Sequence, residues 1–145
     1  MFQQLTIVGY LGNDPVMRFT PSGQAVTSFS VATSRSYTNN AGQKVDETTW
    51  FRISVWGAQA ESCNQYLSKG RPVLVVGRLR PDPQSGGPRI YTRKDGSTGA
   101  SFEVNALNVR FLPGGRGDSS GGGGDYQADM GDTADGGAED DDIPF

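Results

Sequence analysis

The sequence has no histidine and only one cysteine, Cys63, among its 145 residues. Without histidine, Ser-His-Asp and Cys-His nucleophilic catalysis are excluded, together with most zinc hydrolase designs. A single cysteine excludes an internal disulfide, and the sequence has no cluster of Cys and His to hold a metal. We therefore predict a protein that is not an enzyme and that has no cofactor and no metal site.

Long hydrophobic runs are also missing. No apolar run approaches the roughly 20 residues that a helix needs to span a bilayer. The opening residues Met1-Phe2-Gln3-Gln4 lack the basic and then apolar order of a secretory signal. These absences lead us to expect a cytoplasmic protein in a reducing compartment.

Acidic residues outnumber basic ones, but the two signs are separated along the chain. The 13 Lys and Arg against 16 Asp and Glu give a net charge of −3. Residues 1–112 hold 12 of the basic and 7 of the acidic side chains, a net charge of +5, whereas residues 113–145 have a net charge of −8. This asymmetry predicts a binding domain over residues 1–112 and an acidic tail over residues 113–145.

The tail has almost nothing to bury. Ten of the 21 glycines lie in residues 113–145, mixed mainly with Asp, Ser and Ala. Apolar burial cannot offset the entropy of ordering such a segment, so we expect it to be disordered, with a reach on the order of 30 Å.

Ile and Phe reappear at the last six positions, after about 30 residues with almost nothing apolar; these positions are Asp140, Asp141, Asp142, Ile143, Pro144 and Phe145. Two hydrophobes and a stiffening proline behind three acids suit an apolar pocket with a basic rim. We predict that this tip docks on partner proteins.

Residues 1–112 have the pattern of an all-β fold with one helix. The five predicted strands are residues 5–11, 25–33, 48–56, 73–79 and 102–111. A helix is predicted over residues 58–68, where Ala60, Cys63 and Leu67 share one face and Gly70 follows as a cap. One short helix between the third and fourth of five strands predicts the five-stranded Greek-key barrel called the OB-fold. A five-stranded sandwich with a stray helix is the alternative.

The third predicted strand carries the strongest functional pattern. Period-two alternation places Phe51, Ile53 and Val55 on one face, which is sufficient for a core. The other face carries Trp50, Arg52, Ser54 and Trp56. Indole rings stack on any base, with about 1–3 kcal/mol for each stack, and an arginine between them can reach a phosphate. The alternative is that one tryptophan closes a barrel end or packs at a subunit interface.

Other aromatic residues lie beside basic ones, as is typical of a groove that stacks bases and follows phosphates. Tyr37 follows Arg35, and Tyr91 lies close to three cations. The basic residues in these and neighbouring segments are Lys69, Arg71, Arg78, Arg80, Arg89, Arg93 and Lys94.

The chain resembles the bacterial single-stranded DNA-binding protein family along nearly its whole length. The segments that carry the resemblance are Leu5 to Pro15, Val31 to Ser34, Thr49 to Arg52, Tyr66 to Gly70, Val76 to Arg80 and the Asp-Asp-Asp-Ile-Pro-Phe tip. The resemblance implies an OB-fold, a homotetramer with DNA wrapped around it, and a bacterial, nucleoid-associated protein. It also implies that the tip binds replication, recombination and repair proteins.

The resemblance further assigns residues by position. The base-stacking aromatics fall on Tyr37, Trp50, Trp56 and Tyr91, and the basic contacts fall on Arg18, Arg52, Lys69 and Arg80. Two features depart from the family pattern. Residues 81–88, with three prolines and an acid, look inserted, and the tail lacks the Gln/Pro-rich linker of many relatives.

Two other classes of function are alternatives to DNA binding. One is a protein-interaction adaptor on an OB scaffold, with its aromatics at interfaces. The other is a hydrolase, against which the missing histidine and the absence of a carboxylate cluster both argue.

Overall fold

A computed structural model describes residues 1–114 of the chain. Within this range it has seven strands and one helix, which are β1 (Leu5–Leu11), β2 (Val16–Phe19), β3 (Ala25–Thr38), β4 (Lys44–Trp56), α1 (Ala58–Tyr66), β5 (Pro72–Leu79), β6 (Arg89–Thr92) and β7 (Thr98–Phe111). The predicted tail beyond residue 114 and its tip at residues 140–145 lie outside the described residues. No described helix has the length and hydrophobicity that a membrane span requires.

Five of the strands form a closed barrel. They are hydrogen-bonded in the order β1-β5-β7-β4-β3, and β1 pairs again with β3 to close the ring. The closing pairs are Tyr10 with Ala32 and Leu11 with Val31. Strands β4 and β7 run parallel, whereas the other pairs are antiparallel. The predicted five-stranded barrel with one helix between its third and fourth strands is confirmed, and the sandwich is not.

Two short strands were not predicted from the sequence. Strand β2 pairs with β3, and β6 pairs with the first residues of β7 to form a hairpin between the last two predicted strands. All four residues of β6 are exposed, so it shows no alternation of buried and exposed positions. Strands β3 and β4 also extend beyond their predicted ends, into a hairpin whose polar residues are mostly exposed. Helix α1 ends at Tyr66 because Leu67 is already extended.

The core lies inside the barrel and beneath the helix. Alternate residues of the strands supply it, and its buried members are Ile7, Leu11, Phe29, Val31, Ile53, Val55, Cys63, Leu67, Val73, Val75 and Val104. The hydroxyl of Thr27 donates to the Ala60 carbonyl at 2.7 Å and so ties α1 to β3. Burial raises the pKa of the Cys63 thiol to about 11. The thiol is therefore protonated and unreactive at neutral pH.

Barrel closure brings two backbones into contact at Gly9. A Cβ atom on this residue would lie 2.2 Å from the Ala32 carbonyl oxygen and 2.8 Å from Cγ1 of Val31. Both contacts are on β3, so only a residue without a side chain lets β1 pair with β5 and β3 together.

Replacing Gly9 by alanine is expected to destabilise the protein by about 1–3 kcal/mol, the usual cost of forcing extra atoms into a packed site. The free energy of unfolding in urea, followed by circular dichroism, measures this change. Gly87→Ala is the matched control, because the nearest atom to its Cβ would be 3.7 Å away. Equal free energies of unfolding for the two variants would show that closure does not depend on Gly9.

Candidate nucleic-acid interface

Strands β2, β3, β4, β6 and β7 line an open groove of about 730 Å³ on the barrel surface. Four of the eight predicted DNA-binding residues line it, namely Arg18, Trp50, Arg52 and Tyr91. These four residues bring two aromatic rings and two guanidinium groups to the groove. Tyr37, Trp56, Lys69 and Arg80 are not among its lining residues.

The two faces of β4 are separated as the alternation predicts. Ile53 and Val55 are buried, whereas Trp50 and Trp56 are 54% and 39% exposed. In the antiparallel register with β3, Trp50 lies opposite Ala32 and Arg52 lies opposite Ser30. Opposed residues share a face, so small side chains of β3 leave the indole and the guanidinium uncovered.

The Trp50 ring rests against the backbone of Gly12. A Cβ atom on Gly12 would lie 2.3 Å from Cζ3 of Trp50, so the indole occupies the space that a side chain would fill. The next residue, Asn13, fixes this turn because its Oδ1 accepts hydrogen bonds from the Ser30 backbone N–H, at 2.8 Å, and from the Ser30 hydroxyl. The turn after β1 thus holds the backbone of Gly12 against the indole ring.

Tyr91 has the same kind of support on the β6–β7 hairpin. It lies opposite Gly99, where a Cβ atom would be 2.7 Å from Cζ of the tyrosine. The Arg93 guanidinium carbon lies 5.9 Å from the centre of the Tyr91 ring. Trp50 and Tyr91 therefore each pack against a glycine, and for Tyr91 this glycine is its cross-strand partner.

Tyr37 lies on the opposite face of the β3–β4 hairpin. Its register partner is Val45, and the unbroken pairing places odd-numbered residues of both strands on one face and even-numbered residues, including Trp50, on the other. The Tyr37 hydroxyl donates to Oε1 of Glu47 at 3.1 Å, and the Arg35 guanidinium carbon lies 5.0 Å from the ring centre. Tyr37 therefore lies on the face of the hairpin opposite to Trp50 and is not among the residues that line the groove.

The remaining predicted residues, Trp56, Lys69 and Arg80, are outside the lining of the groove. Trp56 lies opposite Val26, which in turn lies opposite Arg18, so a cross-strand row joins Trp56 to the groove. The backbone N–H of Lys69 donates to Oδ1 of Asp14 at 2.8 Å, which fixes the loop that carries its ammonium group.

Sequence reasoning missed one acid in the groove wall. Glu103 is only 8% exposed. It forms ion pairs with Arg80 and with Arg89, a groove residue that the sequence marks only as a cation beside Tyr91. The sequence did contain a sign of this acid, because Glu103 lies between Phe102 and Val104 in a strand that supplies the core. No three metal-ligating side chains cluster anywhere in residues 1–114.

The single-strand binding protein family matches residues 2–112 of the chain. The chain belongs to this family. Its curated relatives include the single-stranded DNA-binding protein of Neisseria meningitidis serogroup A, 38% identical over 119 residues, which are 82% of this chain and 64% of that protein. Single-stranded DNA-binding protein 1 of Chlorobaculum tepidum is 37% identical over 120 residues, which are 81% of this chain and 72% of that protein. The chain thus spans slightly less than two thirds of the Neisseria relative.

Solved structures of family members have the same fold. A deletion mutant of the single-stranded DNA binding protein from Thermus aquaticus superposes with a TM-score of 0.59 at 28% identity, over 77% of this chain and 50% of that one. The small single-stranded DNA-binding protein from Streptomyces coelicolor gives 0.61 at 23% identity, over 77% of this chain and 94% of that one, a likeness of fold alone. These relatives are named for binding single-stranded DNA and not for an enzymatic activity, which agrees with the prediction that the chain is not an enzyme.

The contact between Gly12 and Trp50 predicts a spectroscopic change. In a Trp56→Phe background, Trp50 is the only tryptophan, because the chain has two. Gly12→Ala should displace the indole into solvent, so that its emission shifts to longer wavelength and acrylamide quenches it more strongly. The unfolding midpoint of the Gly12→Ala variant should change little, because the new methyl group meets the movable ring of Trp50.

Gly87→Ala in the same background is the control, since the nearest atom to its added Cβ would be Oγ of Ser85 at 3.7 Å, an ordinary contact distance. Identical emission and quenching in the Gly12 and Gly87 variants would mean that Gly12 does not hold the ring.

Proposed function

We propose that the chain binds and protects single-stranded DNA without sequence specificity, by stacking bases on exposed aromatic rings and contacting phosphates with Arg and Lys. The observation that carries this proposal is the groove in which Trp50 and Tyr91 lie with Arg18 and Arg52. Every base has a face that can stack on an aromatic ring, so such a groove holds a strand whatever its sequence. Duplex DNA binds poorly, because its base faces are already stacked.

The charge of the groove supports the same proposal. Arg18, Arg52 and Arg89 line it, and Glu103, the only acid that lines it within residues 1–114, is ion-paired. Binding releases the cations condensed on the DNA, so affinity falls as the salt concentration rises.

The positions of the other predicted residues suggest a path for the strand. Trp56 lies six residues beyond Trp50 on β4, or about 20 Å at ~3.3 Å for each residue, and so extends the aromatic surface in that direction. Tyr37, with Arg35 against its ring, offers a second contact on the far face of the β3–β4 hairpin. A single strand that touches both Trp50 and Tyr37 must therefore pass around an edge of this hairpin. Lys69 and Arg80 add cations at the borders of the path.

We also propose that the chain assembles with itself as a homotetramer. Strands β1 and β5 present an apolar outer surface, with Val8 opposite Leu74 and Tyr10 opposite Pro72. Val8 and Tyr10 are largely exposed in the single chain, and an exposed apolar sheet face favours a protein contact. Sedimentation equilibrium should give four times the mass of one chain, with or without oligo-dT, whereas the mass of a monomer would contradict the proposal.

The third part of the proposal concerns residues 113–145. We infer that they tether the tip at residues 140–145, which recruits replication, recombination and repair proteins in the bacterial cytoplasm, at the nucleoid. Two features of the sequence support this inference. Residues 113–145 have a net charge of −8, and Ile143 and Phe145 follow directly after three adjacent acids. The same charge, tethered beside a positive domain, competes with DNA for the groove.

The stacking proposal predicts the behaviour of Trp50→Ala/Trp56→Ala. This double variant should bind oligo-dT at least about 30-fold more weakly than wild type, since two stacks are worth about 2 kcal/mol or more. Anisotropy of labelled DNA is the measurement, because the variant has no tryptophan left.

The matched control is Tyr66→Ala, which removes an exposed aromatic ring from α1. Wild-type affinity in the double variant would refute the assignment of the stacking residues. Equal affinity of the wild type for oligo-dT and for a duplex of the same length would refute the function itself. If the chain captured partner proteins but bound no DNA, the alternative of a protein-interaction adaptor on an OB scaffold would be favoured.

Removing residues 113–145 should tighten oligo-dT binding at low salt and abolish capture of partner proteins. The difference in affinity should vanish near 1 M salt, where the Debye length falls to about 3 Å. Fluorescence titrations with oligo-dT at low salt and near 1 M salt measure the affinities. A pull-down with the full and the shortened chain measures the capture of partner proteins. Unchanged affinity at low ionic strength would show that the tail does not compete with DNA.

A further inference from the structure

A buried acid is unexpected in the wall of a groove that holds polyanions. The Glu103 side chain is 10% exposed, and its neighbour in the parallel register is Arg52 of β4. A carboxylate at this depth loses its hydration and is stable in the charged form only beside cations. The reason for its presence therefore lies in the groups that contact it.

Two arginines from different segments converge on Glu103. Nη1 of Arg89 lies 3.5 Å from Oε1, and Nη1 of Arg80 lies 4.0 Å from Oε2. The backbone N–H of Arg80 also donates to the Glu103 carbonyl at 2.8 Å. Each carboxylate oxygen thus faces a different guanidinium group.

The two arginines flank residues 81–88, the segment that looks inserted. Arg80 precedes this segment and Arg89 follows it, so Glu103 fastens both of its ends to β7. Within the segment, Oδ1 of Asp82 accepts hydrogen bonds from the backbone N–H groups of Ser85 and Gln84, each at 3.0 Å. Both ends of the segment are therefore held at the wall of the groove.

The arginines themselves remain accessible. The side chains of Arg80 and Arg89 are 53% and 60% exposed, against 10% for the acid between them. A guanidinium group has five N–H donors, and one ion pair leaves donors for a second anion. A phosphate beside the groove could therefore contact both arginines while Glu103 holds them from behind.

We propose that Glu103 is a positioning residue for DNA binding. It holds Arg80 and Arg89 side by side as a pair of phosphate contacts, and so makes the flanks of residues 81–88 part of the groove. This inference rests on the proposed binding of single-stranded DNA, and it adds Arg89 to the residues that contact the strand.

The positioning role and simple electrostatics predict opposite effects for Glu103→Gln. The substitution removes one negative charge from the groove at nearly constant shape. Repulsion alone would make the variant bind DNA more tightly at low salt. If Glu103 positions the arginines, both lose their anchor and binding weakens.

The experiment measures the affinity of the full chain for labelled oligo-dT over a range of KCl concentrations. Glu103→Gln should weaken binding about 3- to 10-fold at moderate salt and lower the slope of log K against log[salt] by about 0.7 for each phosphate that the arginines no longer neutralise. Glu61→Gln, on the first turn of α1, makes the same change of charge outside the groove and should bind like wild type. Binding by Glu103→Gln as tight as wild type, or tighter, would overturn the inference.

A second comparison tests whether Glu103 acts through the arginines. Arg80→Gln/Arg89→Gln should lower the salt slope by itself, and adding Glu103→Gln should weaken binding no further, because coupled residues are not additive. An unchanged slope in the arginine double variant would overturn the inference even if Glu103→Gln failed to fold. Failure of the wild type to bind oligo-dT would instead refute the proposed function.

Discussion

The barrel depends on the pairing that strand β1 makes with β3 in addition to its pairing with β5. Strand β1 is hydrogen-bonded to β5 over most of its length and to β3 at its end, and this second pairing turns an open sheet into a barrel. The contact is possible because Gly9 lets the β3 backbone approach where any side chain would block it. Closure also sets the direction of the turn that follows β1, and that turn carries Gly12 and Asn13 beneath the groove. The core and the candidate site therefore depend on the same constraint.

Glycine has a second role at the surface, where the missing side chain lets an aromatic ring pack directly against the backbone. Trp50 lies on Gly12 and Tyr91 lies on Gly99, so each ring packs on backbone on one side. A ring held in this way has little conformational freedom left to lose in a further contact. Two basic side chains, Arg80 and Arg89, are held in a different way, by ion pairs with the same acid, Glu103. Aromatic and basic side chains at the groove are thus both supported by neighbouring groups of the described chain.

Much of this arrangement could be predicted from the chain alone. The barrel and the two faces of β4 follow from alternation, because Ile53 and Val55 repeat at the period of a strand whose one face is buried. Strand β6 could not be predicted in this way, since a strand exposed on both faces has no such period. The face occupied by Tyr37 depends on the register set by the turn between β3 and β4, which composition does not reveal. The ion pairs of Glu103 join residues 23 and 14 positions away in the sequence, and only the folded barrel brings them together.

The order of the strands has a consequence for synthesis of the chain on the ribosome. Strand β1 is made first, but its main partner β5 ends at Leu79, and β5 in turn pairs with β7, which ends at Phe111. The barrel cannot close until nearly all of the described residues have left the ribosome. Until then the β3–β4 hairpin is the one large pairing that the nascent chain can complete from adjacent segments. Contacts so distant in sequence form slowly, and the unpaired edges of β1 and β3 are exposed to other nascent chains in the meantime.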